Sequence, residues 1–103
     1  MRVELISRRD DLLIRRLVLE PGEATPWHVD RCRRFTVVVR GRELTIEFRE
    51  AMEPIRVAVH AGLAEWDEPE PRAHRAVNTG DVPYEEVVTF YLDSPGAEPQ
   101  PEL

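Results

Sequence analysis

Apolar residues in this chain come in short alternating or β-branched runs broken by proline and glycine, the pattern of strands rather than helices. It predicts about seven or eight strands, over 2–7, 11–19, 34–40, 43–49, 55–60, 63–66, 73–78 and 84–92. The clearest is 43–49, where Leu44, Ile46 and Phe48 alternate with Glu43, Thr45, Glu47 and Arg49, so that one face is buried and the other wet. Arg40-Gly41-Arg42 separates it from Phe35-Thr36-Val37-Val38-Val39, and a glycine between two such runs signals a hairpin. The Val37–Val39 run reads as buried on both faces. A helix over 11–19 is disfavoured because its apolar residues cluster instead of recurring three and four apart. No internal repeat is visible, and regularly spaced strands with turn signals predict an all-β sandwich or closed barrel. From Asp93 the hydrophobic pattern is lost, so residues 1–92 are expected to form the barrel and 93–103 an extended or disordered tail, with swapping across a dimer as the alternative.

Composition narrows the function classes. The 103 residues carry 20 acidic and 14 basic side chains for a net charge of −6, and all the basic ones are arginine. An acidic balance argues against a general binder of nucleic acid or anionic membrane, which needs clustered cations to neutralise phosphates. An arginine inside a cavity would instead favour a small anionic ligand, because its rigid fork matches a carboxylate or phosphate. Cys32 is the only cysteine, so neither an intrachain disulfide nor a thiolate zinc cluster can form, and a reducing, cytoplasmic setting is expected. No stretch approaches the roughly 18 apolar residues of a membrane span, and the start Met1-Arg2-Val3-Glu4 lacks a signal peptide's apolar segment.

The residues that carry chemistry lie in two segments, 21–30 and 69–78, each placing a histidine beside turn residues. In a strand, residues two apart share a face, so His28 and Asp30 can point into one cavity, as can His74, Ala76 and Asn78. Two imidazoles and a carboxylate brought together would suit non-haem iron or another divalent metal. Cys32 lies between Arg31 and Arg33, which would favour its thiolate if it faced the pocket; otherwise it is an inert thiol. His60 falls on the opposite parity from Ile55, Val57 and Val59 and reads as exposed. Trp27 and Trp66 flank the histidine segments and read as pocket lining, core or dimer interface. No Ser-His-Asp order, glycine-rich phosphate loop or CxxC pattern is present.

Over residues 18–92 the sequence resembles the cupin superfamily, whose motifs read G-x5-H-x-H-x3,4-E-x6-G and G-x5-P-x-G-x2-H-x3-N. Gly22, His28 and Gly41 match the first at the family spacing, with Asp30 in place of the second histidine and Arg34 in place of the glutamate. His74 and Asn78 match the second; Gly62 fits with one extra residue before Pro69, and Pro71 replaces a glycine. Asn78-Thr79-Gly80-Asp81-Val82-Pro83-Tyr84 is similar to the turn into the last strand of small cupins.

The resemblance implies a double-stranded β-helix (a jelly-roll-like barrel), a homodimer, and a pocket that in the family holds metal on three histidines and a glutamate. Only His28 and His74 of those four ligands remain. Asp30 as a third ligand would give a His-x-Asp…His set for Fe, Ni, Zn or Mn, similar to that of iron dioxygenases that use an oxo-acid cosubstrate, and hence an oxygenase or isomerase. Arg34 points the other way, since two like charges a few ångströms apart cost on the order of several kcal/mol at low dielectric. It would pair with Asp30 and fill the vacant place, or receive an anionic ligand. The leading expectation is a small anionic molecule held among Trp27, His28, Asp30, Arg34, His74 and Asn78, with the metal enzyme and a non-catalytic interaction domain as alternatives.

Overall fold

The structure, a computed structural model, describes residues 1–50, 52–93 and 98–100. Nine strands are present among them and no helix: β1 (Arg2–Arg8), β2 (Leu12–Leu19), β3 (His28–Asp30), β4 (Arg33–Arg40), β5 (Glu43–Phe48), β6 (Ile55–Ala58), β7 (Ala64–Asp67), β8 (Glu70–Asn78) and β9 (Tyr84–Tyr91). They form two antiparallel sheets, ordered β1-β2-β9-β4-β7 and β3-β8-β5-β6. This is a jelly roll, the double-stranded β-helix expected, and among the described residues no helix is long and apolar enough to cross a membrane.

The eight expected strands are all found, with shifted ends: β6 stops at Ala58 instead of 60, and β8 begins at Glu70 instead of 73. The ninth, β3, is only three residues long and lies in a proline- and charge-rich stretch with no alternation to reveal it. The hairpin expected at Gly41 is absent. β4 pairs with β7 and β9, whereas β5 pairs with β6 and β8, so the chain crosses there from one sheet to the other. Gly41 is required for a different reason: its φ is +149°, and a Cβ on it would lie 2.8 Å from Tyr84 Cδ1. Burial on both faces of 37–39 is also corrected, because Val38 is 5% exposed but Val39, on the outer face, is 43% exposed.

Inward-facing residues of the two sheets build two apolar clusters, Leu17, Leu19, Val38, Leu44, Val59 and Tyr84 in one, Leu13, Cys32, Val88 and Phe90 in the other. Between the sheets remains a cavity of about 490 Å³, within the range that holds small organic ligands. The expected tail falls largely on 94–97 and 101–103, outside the described residues; of the remainder, Glu98 pairs with Arg8, and Arg15 Nη1 donates to the Gln100 carbonyl at 2.6 Å.

Candidate functional site

His28 and His74 are direct cross-strand partners of β3 and β8, so their side chains leave the sheet on the same face, 4.4 Å apart between ring centroids. Asp30 also points inward from β3, past an irregularity in the pairing between 28 and 30. Arg34 reaches them from β4 in the opposite sheet. Its Nη1 lies 2.9 Å from Asp30 Oδ2 and its Nη2 3.9 Å from Asp67 Oδ2. His74 Nε2 is 2.9 Å from the same Oδ2, and His28 Nε2 is 3.4 Å from Oδ1. The side chains of His28, Asp30 and His74 are 8–9% exposed and that of Arg34 is 20% exposed.

Both imidazoles are fixed by their other nitrogen. His28 Nδ1 donates to the Pro26 carbonyl and His74 Nδ1 to the Arg72 carbonyl, each at 2.8 Å, so the Nε2 atoms face Asp30. Burial by itself would raise the Asp30 carboxyl, but the two imidazoles and Arg34 outweigh it and hold the group well below the usual carboxylate range. In return the Asp30 carboxylate raises His74 against its own burial. The contacts are close without being well aligned: Asp30 Oδ2 and Arg34 Nη1 are both buried with no partner in hydrogen-bond geometry.

The donor chemistry of His28, Asp30 and His74, whose ligand atoms lie within 4.8 Å of one another, suits a first-row divalent metal. The fourth position does not. A guanidinium 2.9 Å from the only carboxylate of the set already neutralises it, and a divalent ion would have to displace or endure that charge. The residues present therefore do not fit a resident metal as Arg34 now stands.

Of the six side chains expected around the pocket, His28, Asp30, Arg34 and His74 line the cavity, and Trp27 and Asn78 do not. Trp27 sits in the bend just before β3 and lies away from the cavity, where Arg49 and Arg75 lie over its ring at 5.3 and 4.7 Å. Asn78, 1% exposed, is a structural brace: its Nδ2 donates to the Leu19 and Val82 carbonyls, both at 2.9 Å, and its Oδ1 accepts from the Gly80 N–H at 3.0 Å. Trp66 is 60% exposed against Phe35 and Tyr91 on the outer face. His60 is exposed, as its parity suggested. Cys32 sits 3% exposed among apolar residues, and burial raises its thiol, which leaves the inert reading.

Glu65, Asp67 and Glu86 also line the cavity and were not anticipated. Along β9 the inward line Tyr84, Glu86, Val88, Phe90 and the outward line Glu85, Val87, Thr89, Tyr91 each hold one glutamate and one tyrosine, so periodicity gives no means of choosing the buried set.

The sequence matches no family model and no curated protein. Among solved structures it is similar to a cupin domain from Bordetella pertussis Tohama I, with TM-score 0.76 and 18% identity over 87% of this chain and 91% of that one. An RmlC-like cupin family protein from Methanocaldococcus jannaschii, described as having a double-stranded β-helix fold, gives TM-score 0.69 and 22% identity over 87% and 78%. An oxalate oxidase in complex with the substrate analogue glycolate gives 0.60 and 23% over 84% of this chain and 44% of that one. Two sheets in jelly-roll order, the convergence of His28 and His74 inside them and the likeness to these structures together show that the chain has the double-stranded β-helix fold of small cupins.

Proposed function

We propose that the chain binds a small organic molecule in its barrel and seats an oxyanion head on Arg34 and the two imidazoles. The observation that carries this reading is the state of the Arg34 side chain. A guanidinium recessed in a cavity, with an Nη1 that no acceptor addresses in good geometry, offers the planar fork that carboxylates and phosphates match. Around it two imidazoles supply further donors when protonated, and only Asp30 opposes them at close range. Apolar side chains such as Leu44, Ile46, Val57 and Val88 line much of the remaining cavity and would enclose the ligand's carbon skeleton. The oxalate oxidase of similar fold was solved with glycolate, a small hydroxy acid, which is support by analogy of fold alone.

A second reading, a metal-dependent oxygenase or isomerase, is favoured by one observation: both histidines have Nδ1 tied to a carbonyl, which leaves the Nε2 atoms directed at Asp30 as metal ligands commonly are. Replacement of Arg34 with glutamine separates the two. Calorimetry on untagged protein should show glycolate or acetate binding in the wild type that is lost in Arg34→Gln, while zinc or nickel affinity rises in that variant. Tight metal binding by the wild type, lost in His28→Ala and His74→Ala, would instead establish the second reading.

A further inference from the structure

A carboxyl placed among apolar side chains is retained only where something answers it. Glu86 is such a group. In the antiparallel ladder it stands opposite Val38 on one side and Leu17 on the other, both buried, and its side chain lines the cavity. One oxygen is held by the Tyr84 hydroxyl, which donates to Oε1 at 2.7 Å. Tyr84 is itself locked, 2% exposed and packed over Gly41. Burial raises the Glu86 carboxyl above the ordinary glutamate value, and Tyr84 and Arg34 offset this only in part. No cationic side chain of the described residues pairs with it; the one guanidinium of the lining, Arg34, is ion-paired with Asp30 and Asp67. Asp30, 8% exposed and with its own Oδ2 lacking an aligned donor, opens on the same cavity, as do the carboxylates of Glu65 and Asp67. The lining is thus richer in carboxyls than an oxyanion head alone would call for.

We infer that Glu86, fixed by Tyr84, is a second pole of the cavity that takes an ammonium group, so that the ligand is a zwitterion of the amino-acid class with its charges several bonds apart. This deepens the oxyanion reading and rests on it for the other end of the ligand. Arg34 and Val38 are four residues apart on β4 and Glu86 is the partner of Val38, so the two poles are about 13 Å apart at the backbone, with both side chains reaching into the space between. Exposed Glu65 and Glu68 on the outer part of the lining would draw the cationic end inward.

The test uses probes matched in length and differing in charge: hexanoate, hexylammonium and 6-aminohexanoate, with 4-aminobutanoate and 8-aminooctanoate to find the spacing, all titrated calorimetrically into the full chain. 6-Aminohexanoate or one of its two homologues should bind at least about tenfold tighter than hexanoate, a factor typical of one charge-assisted contact. Glu86→Gln, which keeps the shape and the Tyr84 contact, should erase that preference without weakening hexanoate. Equal affinity for hexanoate and every amino acid probe in the wild type, or a preference that survives Glu86→Gln in folded protein, overturns the second pole. Hexylammonium binding that depends on Glu86, with no hexanoate binding at all, would keep the pole and remove the oxyanion reading instead.

Discussion

Asp30 and Arg34 are four residues apart in the chain but lie on different sheets, and the 2.9 Å contact between Oδ2 and Nη1 ties the end of β3 to β4 across the interior. The two residues stand at the sequence positions where the cupin motif has its second histidine and its glutamate. Substitutions at this pair are therefore expected to test stability, metal affinity and ligand choice together.

Restoring the family's ligands should convert the site. In Asp30→His/Arg34→Glu the guanidinium is gone, an imidazole replaces the Asp30 carboxylate and one carboxylate donor is added, so zinc or nickel affinity measured by calorimetry should rise at least about a hundredfold over the wild type. Wild-type affinity equal to that of the double variant would mean that Arg34 does not oppose a metal.

Removal of one partner should cost more than removal of both. Asp30→Ala leaves Arg34 recessed with only Asp67, 3.9 Å away, to answer it, and should destabilise the fold by about 3 kcal/mol in urea unfolding. Asp30→Leu/Arg34→Met, which removes both charges and keeps apolar volume, should lose less than the single variant. The opposite order would show that the pair is net stabilising.

The Asp30–His74 contact sets a pH dependence. Asp30 raises His74 above its unfolded value, so this contribution to stability is whole below about pH 6.5 and disappears as pH rises through the raised folded-state value. In metal-free buffer the wild-type urea midpoint should fall more between pH 6 and pH 9 than that of His74→Gln. Parallel curves would remove the assignment.

Asn78→Ala should act on the fold and leave ligand chemistry alone. It strips the donors from two backbone carbonyls at a residue 1% exposed and should cost about 2–3 kcal/mol, with probe affinity unchanged in the folded fraction. A stable variant that loses hexanoate binding would return Asn78 to the site.

The outer face of the five-stranded sheet carries Trp66 in contact with both Phe35 and Tyr91, beside Val37 and Val87 on the same face. We propose that a second copy of the chain covers this face. Light scattering at micromolar concentration should give twice the 11.9 kDa chain mass, and Trp66→Glu should return it to one. A wild-type mass of a single chain would remove the proposal.

The sequence by itself determined eight of the nine described strands, all but the short β3, because alternation such as Leu44, Ile46 and Phe48 against Glu43, Thr45 and Glu47 is written in a period of two and needs no partner to be read. It also fixed which short segments held the histidines and, through their motif spacing, that His28, Asp30, Arg34 and His74 belong together. Which strands pair was decided only in three dimensions: the turn at Gly41 looks local, yet β4 finds its partners at 64–67 and 84–91, so the glycine serves a sheet crossing and not a hairpin. The same holds for the carboxyls of the cavity. Glu85 and Glu86 are equivalent in sequence, and what separates them is that the register of β9 against β2 and β4 turns Glu86 inward beside Leu17 and Val38 and leaves Glu85 to the arginines outside.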